Sequence, residues 1–258
     1  MMRSVKGLTA LVVGGGSGIG QACAELFAAD GGTLLVADLN KEAADGVAAK
    51  INSQGGRAFA AAMNVALQQD IDHAVAEAMR QMGRLDVLIN AAAMLKPAKL
   101  EVCSMDEWGA CFGVNVEGAL MVARSCLPHL RNSPCASIIN IGSLSAMWGR
   151  PNGGSYGPSK AALVSLSRQM ALEWAPQVRV NVVNPGSIDT ALARAAVGQQ
   201  VLDDRAKVIP ARRIGSPAEV AEVVVFLASP AASYVTAQAI NCDGGFSETL
   251  MSAPMGKS

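Results

Sequence analysis

Short runs of consecutive apolar residues alternate along this chain with longer stretches in which apolar residues recur three and four positions apart. The runs LTALVV (residues 8–13), TLLVAD (33–38), RAFAAA (57–62), LDVLIN (85–90), ASIINIG (136–142) and VRVNVV (178–183) each predict a strand. Between them, Ile19, Ala22, Cys23, Leu26 and Phe27 fall on one helical face, as do Ile71, Ala74, Val75, Ala78, Met79 and Met82. Strands that are apolar throughout and separated by helices imply a parallel sheet covered on both faces, with right-handed crossovers. The expected fold is therefore α/β, a doubly wound, Rossmann-like parallel sheet in a single domain spanning residues 1–258. Such sheets bind ligands beyond the carboxyl ends of their strands, where strand order reverses. Functional residues are accordingly sought just after strands. Residues 191–216 are the least periodic, and their position suits a flap over a substrate.

Composition narrows the partners. With 51% hydrophobic residues, 4% aromatics and a mean hydropathy of +0.29, the chain reads as a folded protein rich in small aliphatic side chains. Its 21 basic and 21 acidic residues balance and form no basic run, so nothing marks a nucleic-acid or anionic-membrane surface and small-molecule chemistry is favoured. The N-terminal apolar run leads into a glycine loop rather than a cleavage site, and no apolar run approaches the roughly 18–20 residues of a membrane span. A cytoplasmic protein is expected. Six scattered cysteines without a C-x-x-C pair, and two histidines, His73 and His129, support neither a disulfide framework nor a metal site. Cys23, on the apolar stripe of the first helix, reads as a small buried hydrophobe.

The first strand runs into GGGSGIG, residues 14–20. A triphosphate-binding P-loop fails because Gln21 stands where its lysine belongs, and G-x-G-x-x-G fails because its last glycine falls on Ile19 or Gln21. The spacing that fits is G-x-x-x-G-x-G, at Gly14, Gly18 and Gly20, leaving Gly15 and Gly16 to fill the turn near the adenosine. Between a strand and a helix, this resembles the loop of the short-chain dehydrogenase/reductase family. There the glycines let the backbone approach a pyrophosphate held at the positive end of the helix. Packing alone also produces such turns. Val13 stands where the family usually has threonine. Asp38, ending the second strand, is placed to accept hydrogen bonds from the adenosine ribose and so favours NAD. No Arg or Lys at Ser17 or Leu39 would relieve a 2′-phosphate. The same aspartate could instead cap the helix begun by DLNKEAA.

The resemblance extends along the chain. SLSAMWGRPNGGSYGPSK carries Tyr156 and Lys160 as Y-x-x-x-K, with Ser143 thirteen residues before the tyrosine, as in the family pattern. A phenol of reference pKa about 10 must lose a few units to act as a base near neutrality, and a close ammonium from Lys160 together with the nicotinamide charge is the expected source. Ser143 is placed to hydrogen-bond the substrate oxygen. By resemblance, Asn115, in WGACFGVNVEGAL, holds a water linking Lys160 to solvent; the residue-level alternative is an asparagine bonded to a backbone carbonyl. NPGSIDT matches P-G-x-x-x-T, so Pro185 and Gly186 should border the nicotinamide while Ile188 and Thr190 bind its carboxamide. The resemblance thus implies a cofactor site of Gly14, Gly16, Ser17, Gly18, Ile19, Gly20, Asp38 and Leu39, then Asn64, Val65, Asn90, Ala91 and Ala92, then Tyr156, Lys160, Pro185, Gly186, Ile188 and Thr190. Asn64-Val65 replaces Asp-Val, Ala91 and Ala93 depart from N-N-A-G, and Ala237 replaces a glycine in SYVTAQAINCDGG.

For the substrate, Ser143, Ser145, Met147, Trp148, Tyr156 and Ser187 are expected, with Met94, Asn152 and part of residues 191–216 nearby. Arg150 and Arg194 are placed either to meet an acidic group or to remain solvated. The leading expectation is an NAD-dependent oxidoreductase that interconverts a secondary alcohol and a ketone, with Tyr156 as acid/base. An NADPH-dependent 3-oxoacyl-carrier-type ketoreductase and a non-catalytic NAD-binding regulator are the alternatives. The family also implies a homo-oligomer, commonly a tetramer.

Overall fold

The computed structural model describes residues 4–251, so the two ends of the expected domain lie outside the described range. Seven parallel strands form one sheet in the order β3-β2-β1-β4-β5-β6-β7. They are β1 (Thr9–Val13), β2 (Thr33–Asp38), β3 (Arg57–Ala62), β4 (Val87–Asn90), β5 (Ser137–Ile141), β6 (Arg179–Pro185) and β7 (Ala239–Cys242). Strand order reverses beside β1, between β1 and β4, which opens the crevice that doubly wound sheets use for ligands.

Alternation of side chains along each strand supplies two cores. From β1, Ala10 and Val12 enter the layer built by α1 (Gly18–Ala29), α2 (Lys41–Ser53) and α9 (Pro217–Ala228). Leu11 and Val13 enter the opposite layer under α3 (Gln68–Met82), α5 (Ala119–Leu130) and α6 (Tyr156–Trp174). The expected stripes land inside: Cys23 and Phe27 are fully buried in one layer, and Ile71, Ala74, Val75 and Ala78 in the other. Burial pushes the Cys23 thiol up to about 12, consistent with an inert packing residue.

Two stretches fold in ways that their sequence pattern does not display. Residues 105–130 form one helical run, α4 (Met105–Phe112), a π-helical turn at Gly113–Gly118 and α5, whose length and composition would suit a membrane span. Its apolar residues instead pack on α3, α6 and β4, the polar residues being spread over the outer face where a run of letters conceals them. Residues 191–216 contain two short helices, α7 (Ala191–Val197) and α8 (Gln199–Val208), separated by Gly198 at φ +77°. At two to three turns each, they carry too few core positions for a periodicity to show.

The two edges of the sheet differ in character. At the amino edge, buried Asp86 accepts from the Thr9 backbone N–H (2.9 Å), Arg84 (2.9 Å) and the Ser133 hydroxyl (2.6 Å), a closed structural knot. The motif residues gather at the carboxyl edge.

Candidate active site

After β1 the chain turns at Gly14, whose φ of +72° already favours glycine. A Cβ there would lie 2.5 Å from the Ala92 backbone nitrogen, so the loop after β4 presses directly on the glycine turn. Gly20 is equally constrained, because its Cβ would meet the Gly14 carbonyl at 2.0 Å. A Cβ on Gly18 would lie 3.5 Å from the Thr190 methyl, which brings the glycine loop beside the segment that follows β6. Gly16 is more than filler: its N–H donates to Asp38 Oδ2 at 2.9 Å, and a Cβ would strike that carboxylate. Ser17 and Ile19 flank the start of α1, where the Ser17 hydroxyl makes no capping bond and the first turn holds no acidic residue. The amides and positive end of α1 are thus left to meet an anion.

Asp38 closes β2 and also accepts from the Asn40 N–H at 2.9 Å. Capping of α2 falls to Asn40, whose side chain accepts from Ala43, so Asp38 keeps free lone pairs on both oxygens beside exposed Leu39. Asn64 folds its side chain onto the Ala66 N–H, and Val65 is buried against Gly118. Asn90 is turned into the sheet: its amide donates to Asn140 at 2.9 Å, so the β4 edge reaches the crevice through the backbones of Ala91 and Ala92.

Ser143 follows β5, its N–H donating to Asn184 Oδ1 at 3.2 Å. Its hydroxyl accepts from the Ser145 N–H at 3.1 Å and acts on the phenol of Tyr156. Tyr156 opens α6, and Lys160 stands one turn later with Nζ 5.8 Å from the tyrosine ring centroid. The fully buried Lys160 ammonium donates to the Ile141 carbonyl at 2.7 Å. Burial pushes it down to about 8. The phenol differs from expectation, since burial raises its pKa, outweighing the Ser143 hydroxyl and the charge of Arg150, which both lower it.

Asn115 lies in the π-helical turn, a backbone irregularity common at functional positions. Its Oδ1 accepts from the Met94 N–H at 2.8 Å, and its amide donates to the Met94 carbonyl at 3.0 Å and to Ser159 Oγ at 2.9 Å. The buried Ser159 hydroxyl in turn donates to the Tyr156 carbonyl at 2.8 Å. This chain ties the loop after β4 through α6 to the tyrosine. Ser159 escapes sequence reasoning because nothing distinguishes it from other serines, although a polar residue on a buried helix face is a signal worth following.

On the substrate side, Ser145 lies in a short 3₁₀ turn, and Met147 and Trp148 beyond it are about half exposed. Beyond β6, Gly186 passes so close to Asp243 that a Cβ would lie 2.8 Å from its Cα, and buried Ser187 follows Pro185 and Gly186. Ile188 bridges to Gly215, and the Thr190 hydroxyl caps α7 by accepting from Ala193. Arg194 pairs with Asp189. A cavity of about 460 Å³ between α8 and the start of α9 is lined by Leu202, Ile214 and Glu219 among others and contains none of the motif residues after β5.

The family model described as enoyl-(acyl carrier protein) reductase matches residues 14–247. The 3-oxoacyl-[acyl-carrier-protein] reductase FabG of Thermotoga maritima is 34% identical over 93% of this chain and 98% of its own length. The 2,5-dichloro-2,5-cyclohexadiene-1,4-diol dehydrogenase LinX of Sphingobium indicum is 36% identical over 96% of this chain and 99% of its own. Among solved structures, a 7α-hydroxysteroid dehydrogenase complexed with NADH and 7-oxo glycochenodeoxycholic acid superposes with a TM-score of 0.91 at 30% identity, covering 94% of this chain and 95% of that one. The seven-stranded sheet, the glycine loop and the Ser143, Tyr156 and Lys160 cluster agree with these matches: the chain belongs to the short-chain dehydrogenase/reductase family of oxidoreductases.

Proposed function

We propose that the protein transfers a hydride between NAD(H) and a secondary alcohol or ketone, with Tyr156 as general acid/base. The observation that carries this reading is the gathering of Ser143, Tyr156 and Lys160 at the carboxyl edge of β5, with Lys160 Nζ 5.8 Å from the Tyr156 ring centroid and bonded to the Ile141 carbonyl. The residues present fit the dinucleotide. The uncapped start of α1 suits the pyrophosphate, the free lone pairs of Asp38 suit ribose hydroxyls, and the proximity of Gly18 to Thr190 makes one continuous track toward Ile188 and Tyr156. The bound nicotinamide supplies or accepts the hydride. In oxidation the alcohol O–H proton passes to the Tyr156 oxygen as the carbinol C–H bond breaks; in reduction Tyr156 returns that proton to the carbonyl oxygen. Ser143 holds the substrate oxygen while charge develops on it.

Asp38 supports NAD over NADP, since a 2′-phosphate would face its carboxylate. The test is a screen of ketones with NADH and alcohols with NAD, followed by nicotinamide absorbance, together with dissociation constants for NADH and NADPH. Turnover with at least tenfold tighter NADH binding is expected. Tighter NADPH binding would move the protein to the 3-oxoacyl-carrier ketoreductase reading, and tight NADH binding without any turnover to the regulator.

A further inference from the structure

The basic side chains around the carboxyl edge are mostly matched to acceptors. Arg194 pairs with Asp189, Arg213 forms a two-pronged pair with Glu219 at 2.7 and 2.5 Å, and Arg212 donates to the Lys207 carbonyl. Two are not. Arg150, in the loop between β5 and α6, has a buried Nε without a partner, and among the described residues its side chain meets no carboxylate or hydrogen-bond acceptor. Arg205, on α8, has among the described residues one long hydrogen bond, 3.4 Å to the hydroxyl of Ser187, and no ion pair.

These two guanidinium groups come from opposite sides of the site: Arg150 belongs to the loop that leads into Tyr156, where its carbonyl accepts from the Gly153 N–H and the Gly153 carbonyl from the Tyr156 N–H, and Arg205 reaches Ser187 from α8. Arg150 is close enough to the phenol to lower its pKa. It is also close enough to Arg205 to add to the effect of burial in holding that guanidinium below its ordinary range. Like charges brought together in partly desolvated surroundings, with the neighbouring carboxylates already committed elsewhere, destabilise the protein unless an anion joins them. Arginine's planar fork is suited to an oxyanion, which it binds through paired charge-assisted hydrogen bonds. The cofactor's phosphates do not answer this need, because the pair lies at the Tyr156 end of the crevice and the bare start of α1 and Asp38 at the other.

Resting on the oxidoreductase reading above, we infer that the substrate is an organic anion whose oxyanion group is bound between Arg150 and Arg205 while its carbinol or carbonyl carbon lies at Tyr156 and Ser143. The half-exposed side chains of Met147 and Trp148 offer its hydrocarbon part an apolar rest. Arg205 makes α8 part of the substrate site, and with it the segment that carried no sequence pattern.

The experiment uses the full chain with NADH or NAD and a series of 2-, 3- and 4-hydroxy and oxo carboxylates, each with its methyl ester, plus hydroxyalkyl phosphates as a second arm. The expected result is a kcat/KM for the acids at least tenfold above that of their esters. That ratio should collapse toward one in both Arg150→Met and Arg205→Met, and calorimetry should show matched loss of affinity for the best carboxylate in the enzyme–NADH complex. Phosphates preferred over carboxylates, with the same loss in both variants, support the oxyanion site and identify its ligand type. Esters used as well as acids, or a ratio unmoved by both substitutions, overturn the inference while leaving the oxidoreductase reading intact. Absence of turnover with every compound, acids and esters alike, would instead remove the oxidoreductase reading, and this inference with it.

Discussion

At Lys160 a buried charge is kept where burial opposes it, and that conflict is measurable. An ordinary lysine titrates near 10.5, whereas burial holds Lys160 at about 8, so between those values the unfolded chain binds the additional proton. Stability contributed by this residue must therefore rise with pH from about 8 to 10.5, by about 3 kcal/mol, and be flat below 8. In urea titrations, wild type should gain on Lys160→Met across that window; a difference independent of pH would show the ammonium to be solvated. Ala237 is a second residue under strain, at φ +59° where a relative's glycine would be at ease. Ala237→Gly should stabilise the protein by roughly 0.5–1 kcal/mol, read as a melting temperature higher by a few degrees, and an unchanged or lower value would contradict the strain. Ser143, Tyr156 and Lys160 were legible because their spacing is fixed by a strand end and one helical turn. Ser159 and Arg205 were not, because their significance lies in what distant elements bring against them. The direction of the Tyr156 shift was also hidden, since spacing reveals a neighbouring ammonium but not how deeply the phenol is buried.

Among elements, the strands were the most readable, because a sheet buried on both faces demands apolar residues at every position. TLLVAD and RAFAAA coincide with β2 and β3 residue for residue, while LDVLIN and ASIINIG lose their end residues where the ladder stops. The glycine loop was readable in its spacing and only partly in its reasons: Gly14 and Gly20 are required by backbone contacts within the protein, and Gly16 by its bond to Asp38. The π-helical turn around Asn115 has no periodicity of its own, and α7 and α8 are too short to show one. The β2 end carries the cofactor choice, and it can be tested there. Asp38→Ala should narrow the ratio of NADPH to NADH dissociation constants by tenfold or more, because it removes both the ribose acceptor and the charge facing a 2′-phosphate. An unchanged ratio would place the choice elsewhere.

Across the whole molecule, the two edges of the sheet divide the work. The amino edge is closed by Asp86 and its hydrogen-bonded neighbours, and the carboxyl edge keeps the uncapped helix start, the Ser143–Tyr156–Lys160 cluster and the unmatched arginines. Composition spoke correctly for a folded chain, but zero net charge concealed the unmatched positive side chains at one end of the crevice. A balanced total says nothing of where charges gather. The account as a whole rests on Tyr156 as the group that moves the proton. The most direct test is NADH-dependent ketone reduction by wild type and Tyr156→Phe, measured with NADH affinity in the same preparations. The account predicts a fall in kcat of about 10²–10⁴ with NADH affinity unchanged within a few-fold, because the substitution removes a single oxygen. A Tyr156→Phe enzyme that reduces the ketone at near wild-type rate would contradict it.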